Sequence, residues 1–447
     1  MRICKLTVFL LTFCLLIGCL AGCVTSQPEV TTAPPVQIDE VDYAAAVKLD
    51  MASTTRKQEV TVKTFIDGDT VHFHVPEDVM PGGVLKARFL AINTPESTGK
   101  IEEYGKAASN FTRQKLENAV SIILESDTDQ WNADSTGGRY LVWVWYKPAD
   151  SADYRNLNLE ILQNGLAIAS NSGNNIYGSF AQSAIAQART LKLNVHSGKP
   201  DPDFYYGEAA ELDLKELRTN ISNYNGMKVA FNGIVTMNSN QSVYVEVYDS
   251  ETDMYYGMSI YYGYGLNGDG VKILNVGNEV RIVGTVQYYE AGGTWQVSGL
   301  TYRSMQPKDP GNIQKLSEGH KPAYVLTDAN RFVNGTVDVV TDESVTPLPY
   351  AQLAMSTSLR LENLHVVDVY TTNDEESSSN GAMTLTCQAE DGTLVSIRTV
   401  VLLDAEGNLI TADAYLQKTI DVKGIVDYFD GSYQVKVFSA NDITIHN

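Results

Sequence analysis

Two stretches decide the fold. One is Ile66-Asp67-Gly68-Asp69-Thr70-Val71, and the other is Arg88-Phe89-Leu90-Ala91-Ile92-Asn93-Thr94-Pro95-Glu96. Each sits in an alternating apolar pattern, with Val60, Val62 and Phe65 before the first and Val84, Leu85 and Ala87 before the second. A period of two is the mark of half-buried β-strands. Outward from this core the period changes. Tyr104, Ala107, Ala108, Phe111 and Leu116 suit one face of a helix over 102–118. Strands return at Val120–Leu124 and Tyr140–Trp145, and two more helices fit 157–164 and 180–191.

Beyond Ser197-Gly198-Lys199-Pro200 the texture is all-β. A weak repeat runs through it. Gly284-Thr285-Val286-Gln287-Tyr288-Tyr289 with Trp295-Gln296-Val297 parallels Gly424-Ile425-Val426-Asp427-Tyr428-Phe429 with Tyr433-Gln434-Val435. Five-stranded barrels with a glycine-marked bend would read this way, which resembles the OB-fold. Two such modules are expected, at 210–306 and 325–447, separated by Lys308-Asp309-Pro310-Gly311.

The chain has 447 residues, too many for one core, and its 43% apolar and 19% charged content is that of a globular protein. The net charge of −21 is uneven. Residues 57–199 hold 14 Lys and Arg against 16 Asp and Glu, and residues 200–447 hold 15 against 33. An acidic surface repels phosphate backbones, so the C-terminal half is a poor non-specific binder of nucleic acid. Its aromatics, among them Tyr244, Tyr248, Tyr288, Tyr289 and Trp295, offer stacking faces without the positive charge that dominates such binding.

The N-terminus has Arg2 and Lys5, then an apolar run to Leu20, too short to span a bilayer comfortably. It ends in Leu20-Ala21-Gly22-Cys23, which resembles the bacterial lipobox. A signal peptide over 1–22, lipidation of Cys23, and a Thr-, Ser- and Pro-rich tether over 23–56 are therefore expected, with the protein held on the outer face of the cell membrane. Leu16-Ile17-Gly18-Cys19 is a second, less favoured match. Past the anchor only Cys387 remains, so the domains must be stable without disulfides.

Ordered along the chain, Ile66–Val71, Arg88–Glu96, Tyr104-Gly105-Lys106-Ala107-Ala108, Gly138-Arg139, Asn164-Gly165-Leu166-Ala167 and Ala186-Gln187-Ala188 through Leu193-Asn194 resemble the staphylococcal nuclease (thermonuclease) family over about 60–197. The resemblance implies an α+β domain over 57–199, a five-stranded OB-like barrel plus three helices. It also implies calcium-assisted hydrolysis of DNA, with RNA as a further substrate. In the matched positions the family has two phosphate-binding arginines, here Arg88 and Arg139, and a catalytic glutamate, here Glu96. Its calcium site falls on Asp69, Asn93 and Thr94.

The chemistry of these residue types supports the same roles. Guanidinium groups grip phosphate oxygens in pairs and favour the more charged transition state. A carboxylate serves as general base, and oxygen ligands suit calcium. Taken singly, Asp69 could shape a turn, Arg88 could lie on an exposed strand face, Glu96 could be a loop acid and Arg139 a hairpin charge.

Three departures from the family stand out. Asn93 stands where an acidic ligand is usual, with Asp67 near enough to lend charge from behind. The loop from Glu96 to Tyr104 is short. Ser170-Asn171-Ser172-Gly173 stands where base-stacking tyrosines are expected. His72 and His74 share a strand face without a third ligand in sight. Two other functions are weighed against the nuclease: a non-catalytic surface-binding protein on a nuclease scaffold, and an envelope adaptor working through the acidic β modules.

Overall fold

The computed structural model describes residues 40–446, apart from 150–151, 240, 264, 267, 341–344 and 375–376. The expected signal peptide, Cys23 and most of the tether lie outside the described residues.

Alternation does what it predicts in the first barrel. Strand β1 (Lys57–Phe65) is followed by β2 (Thr70–His74), in which Val71 and Phe73 point inward and His72 and His74 outward. Strand β3 (Val84–Phe89) buries Leu85, Ala87 and Phe89 and leaves Lys86 and Arg88 on the other face. After the short β4 (Ile92–Asn93) come β5 (Ser121–Glu125) and β6 (Tyr140–Lys147). β1 pairs antiparallel with β2 and β5, β2 with β3, and β5 with β6, while β6 runs parallel to β3. The last pairing closes a five-stranded barrel around Phe73, Leu85, Phe89, Trp143 and Trp145.

Four helices surround it. α1 (Tyr43–Ala46) precedes the barrel, and α2 (Gly105–Glu117), α3 (Leu157–Gln163) and α4 (Gly178–Leu191) follow its strands. α2 buries Ala108, Thr112 and Leu116, one face at helical spacing. α3 starts where the Asn156 side chain accepts the Leu159 N–H at 3.1 Å.

The expected tether needs correction at its C-terminal end. Residues 41–56 are folded onto the domain: Ala44 and Val47 are buried, and α1 packs on α3. Both terminal nitrogens of Arg155 meet the Asp42 carboxylate, at 2.8 and 2.9 Å. The Val41 backbone exchanges two bonds with Gln187. The short apolar run Tyr43–Val47 drives this, although the composition around it is that of a linker.

The C-terminal half holds two further closed barrels of one design. In the first, Lys228–Ser239, Ser242–Asp249 and Met254–Tyr261 form a meander. Thr294–Ser298 runs parallel to the third strand, and Glu279–Tyr289 closes onto the first. In the second, Ser358–Thr371, Met383–Gln388, Leu394–Thr399, Thr419–Phe429 and Ser432–Val437 take the same order. The repeated glycines have one function in both. A Cβ on Gly284 would lie 2.6 Å from the Ser298 carbonyl oxygen, and one on Gly424 2.4 Å from that of Lys436. Only glycine lets the fourth strand approach the fifth so closely.

Two features differ from the expected layout. Lys308–Gly311 is not the divide, because Gln314–Ser317 returns to pair with Glu279, Val280 and Arg281. Nor are the barrels separate beads, since one hydrophobic cluster runs through both. Glu246 of the first is buried and accepts bonds from the Ala323 and Ser358 backbone N–H groups and the Ser358 hydroxyl.

Candidate functional site

The turn between β1 and β2 is Asp67-Gly68-Asp69. The Thr112 hydroxyl of α2 donates to the Gly68 carbonyl at 2.6 Å and pins the turn to the helix. A Cβ on Gly68 would lie 2.8 Å from that of Ala108 and 2.9 Å from Thr94, so the glycine permits three elements to meet there. Asp69 is wholly buried. It accepts the Thr70 hydroxyl on one oxygen and the Thr94 N–H, at 2.8 Å, on the other. Asp67, also buried, accepts the Asp69 N–H at 3.1 Å.

Arg88 is paired across the ladder with Thr70, which aims its side chain over this turn. It forms an ion pair with Asp69 and donates to the Asn93 side-chain oxygen at 2.5 Å. After β3, Ala91 adopts left-handed backbone and redirects the chain into β4. Buried Asn158 of α3 fixes this exit. Its amide nitrogen donates to the Leu90 and Val142 carbonyls, and its oxygen accepts the Val144 N–H. Asn158 carries no periodic or motif signal, so sequence reasoning passed over it.

Glu96 begins a loop closed on itself. Its N–H donates to the Glu102 carboxylate at 3.2 Å, and its carbonyl accepts the Glu102 N–H at 2.9 Å. Arg139 follows a hairpin whose Asp134 receives both Nε and Nη2 at 2.7 Å. Burial raises the Asp134 carboxyl, but bonds from Thr136 and Arg139 outweigh it and hold the group below its ordinary range. Asp134 was missed in the sequence; its signal is its place at the start of an Asp-x-Thr turn five residues before Arg139.

Asp67, Arg88, Glu96 and Arg139 lie within electrostatic reach of one another. Burial is the main cause of the upward shift of Asp67, opposed by Arg88, Thr70 and Arg139. Burial, then the negative charge of Asp67, pushes Glu96 up. Burial lowers Arg88, against the pull of Asp67 and Glu96. The residues singled out from the sequence therefore share one site, with Asn93 and Thr94 at its edge. Beside the Arg139 strand a cleft of about 460 Å³ is lined by Leu90, Asp127, Asn132, Leu141, Asn171 and Asn174.

Among the described residues no group of three or more His, Cys, Asp or Glu could hold a metal. The donor set at the turn is nonetheless all oxygen: two carboxylates and the Asn93 amide. Such oxygen donors are of the type that a hard divalent cation takes, completed by water. Burial and the nearby Lys86 and Lys63 cations lower the pKa of His72. Cys387 is buried and free, as expected of a structural thiol.

The family model for staphylococcal nuclease homologues matches residues 86–197, which takes in Arg88, Glu96 and Arg139 and starts after the Asp67–Asp69 turn. A thermonuclease of Staphylococcus intermedius is 30% identical over 148 residues, 32% of this chain and 79% of the relative. One of Staphylococcus hyicus is 31% identical over 149 residues, with the same coverage. The barrel with its helices, the grouped charges and these matches agree: the chain belongs to the staphylococcal nuclease family.

Proposed function

We propose that this protein is an active, calcium-assisted nuclease that hydrolyses phosphodiester bonds of DNA, and of RNA as a further substrate. One observation supports the reading: Arg88, Glu96 and Arg139 come from three separate segments yet lie within electrostatic reach of one another and of the buried Asp67. A mere scaffold has no need of two guanidinium groups and a partly buried acid in one place.

In this mechanism Glu96 takes a proton from water as the water oxygen bonds to phosphorus. The phosphorus–oxygen bond to one flanking sugar breaks, and that oxygen takes a proton from solvent as it leaves. Arg88 and Arg139 bear the charge that grows on the non-bridging oxygens, which favours the transition state over the ground state. Both arginines are held by carboxylates at rest, Arg88 by Asp69 and Arg139 by Asp134, so each exchanges that partner for phosphate. Asp69, Asn93 and the Thr94 carbonyl would hold calcium, with Asp67 adding charge. When bound, the ion supplies a Lewis acid to the phosphoryl group and helps orient water.

The strand order of the two C-terminal barrels supports reading them as OB-like. The lipobox-like Leu20–Cys23 supports export and anchoring through lipidated Cys23, with the catalytic domain on the extracellular side. Among the described residues no helix is long and apolar enough to cross a membrane.

The test is cleavage of plasmid DNA by the chain from residue 24, with calcium and with a chelator. Cutting should need the ion, and Glu96→Gln should lower kcat by about 10²–10⁴ while the fold survives. A Glu96→Gln enzyme as fast as wild type would refute the role given to this carboxylate. Wild-type protein that binds DNA but never cuts it would favour the surface-binding alternative.

A further inference from the structure

Two buried polar side chains of the first C-terminal barrel complete their hydrogen bonds on the nuclease-like domain. Ser298, at the end of Thr294–Ser298, is 0% exposed, and Gln287, in Glu279–Tyr289, is 6% exposed. The Ser298 hydroxyl lies between two acceptors, the Gly99 carbonyl at 2.7 Å and the Gln287 side-chain oxygen. The Gln287 amide nitrogen points to the Ser97 carbonyl at 3.4 Å. Buried polar groups require partners, and here the partners are main-chain atoms of the loop that Glu96 opens. Gly299, in left-handed backbone, continues the contact: a Cβ there would stand 3.5 Å from the Gly99 oxygen. The same hairpin makes a second attachment. Glu290 pairs with Arg113 of α2, and the Arg113 guanidinium lies over the Phe65 ring, 4.4 Å from its centroid.

The Glu96–Glu102 loop has little else to order its tip. Its own closure is the Glu96–Glu102 pair at its base, and Gly99 sits in left-handed backbone where a Cβ would meet nothing within 4 Å. A surface loop of this kind is normally among the first parts of a domain to open. Here Ser97, the residue directly after Glu96, is bonded to the first C-terminal barrel. We propose that Gln287 and Ser298 are positioning residues for Glu96, so that the first C-terminal barrel is a working part of the catalytic unit rather than a spacer. The inference rests on the nuclease reading above and adds to it. It also gives a physical reason for a loop too short to fold over the site by itself: its support comes from a neighbouring domain.

The test uses the full chain with the Ser298→Ala/Gln287→Leu pair and with Ser298→Ala alone. The single change removes one oxygen and keeps the carbon skeleton, so it reports even if the pair does not fold. Steady-state cleavage of a DNA oligonucleotide with calcium should show kcat reduced by about tenfold or more, the scale of small misplacements of a catalytic group. KM should stay unchanged. Amide hydrogen exchange at 97–101 should quicken, while exchange in the barrel strands should not. Ser298→Thr, which keeps the hydroxyl, should restore kcat. Wild-type kcat in both variants, or lost activity with unaltered exchange in the loop, overturns the inference and leaves the nuclease assignment intact. A wild-type chain that cuts no DNA overturns the nuclease assignment, and the inference falls with it.

Discussion

Gly105→Ala should cripple catalysis although alanine is the better helix former. Gly105 is the first residue of α2, and a Cβ there would lie 2.1 Å from the Glu96 carbonyl oxygen, 2.7 Å from its carbon and 3.1 Å from the Pro95 oxygen. All three are main-chain atoms, so no side-chain rotation relieves the overlap. Separation to ordinary contact requires a shift of more than 1 Å, and a catalytic group displaced by about 1 Å can lose about 10² in rate. Helix propensity favours alanine by about 1 kcal/mol, whereas overpacking costs about 1–3 kcal/mol; sterics win. The helix is held by Thr112 on Gly68 and by its packing on the Asp67–Asp69 turn, so the displacement falls on Glu96. Cleavage of an oligonucleotide should show a kcat about 10² lower, with urea unfolding only modestly earlier. Gly265→Ala, whose Cβ meets only the Tyr262 carbonyl at 3.9 Å, is the control. A Gly105→Ala enzyme with full kcat would refute the claim that close approach of α2 sets the position of Glu96.

Three further outcomes are expected. Asn93→Asp should tighten calcium about tenfold by direct titration, because a divalent ion gains more from the added charge than the Arg88 guanidinium does; equal or weaker binding would remove Asn93 from the ligand set. Burial pushes Glu246 above its ordinary range, partly offset by the Ala323 and Ser358 donors. Its contribution to stability is therefore complete below the unfolded carboxyl pKa of about 4.3 and is lost as pH rises through the raised folded value. The stability difference, wild type minus Glu246→Gln, should fall with rising pH, and a flat difference would count against it. Burial pushes the Cys387 thiol up to about 12, so iodoacetamide at pH 8 should label it only after unfolding; prompt labelling of the native protein would contradict this.

What was legible in the sequence was what repeats locally. Val71 and Phe73, or Leu85, Ala87 and Phe89, announce strands because the period of two recurs within a few residues. Gly284 and Gly424 stand out because the same close approach occurs twice. The grouping of Arg88, Glu96 and Arg139 followed from the family resemblance, not from spacing, since their segments are brought together only by barrel closure. Long-range polar contacts left no such trace. Asp134 beneath Arg139, Asn158 between Leu90 and Val144, and Glu246 against Ser358 are single polar residues whose partners lie far along the chain or across a turn. Composition also misled at 41–56, where Ala44 and Val47 outweigh their linker-like surroundings.

The acid excess of the C-terminal half bears on what its barrels contribute. With 33 acidic against 15 basic residues beyond 199, they lack the charge that draws a phosphate backbone. The contact with the Glu96 loop is made by neutral groups, the Ser298 hydroxyl and the Gln287 amide, and the nearby contact with α2 by Glu290, whose charge Arg113 meets. No carboxylate of the hairpin is therefore left unpaired against the loop to compete with substrate phosphate for the arginines. Such a surface is suited to holding the Glu96 loop and, on the proposed mechanism, to leaving Arg88 and Arg139 as the groups that attract the substrate. A domain that captured nucleic acid would need the opposite: cations beside its tyrosines. Support of the loop, not capture of the strand, is the role that both the charge distribution and the hydrogen bonds favour.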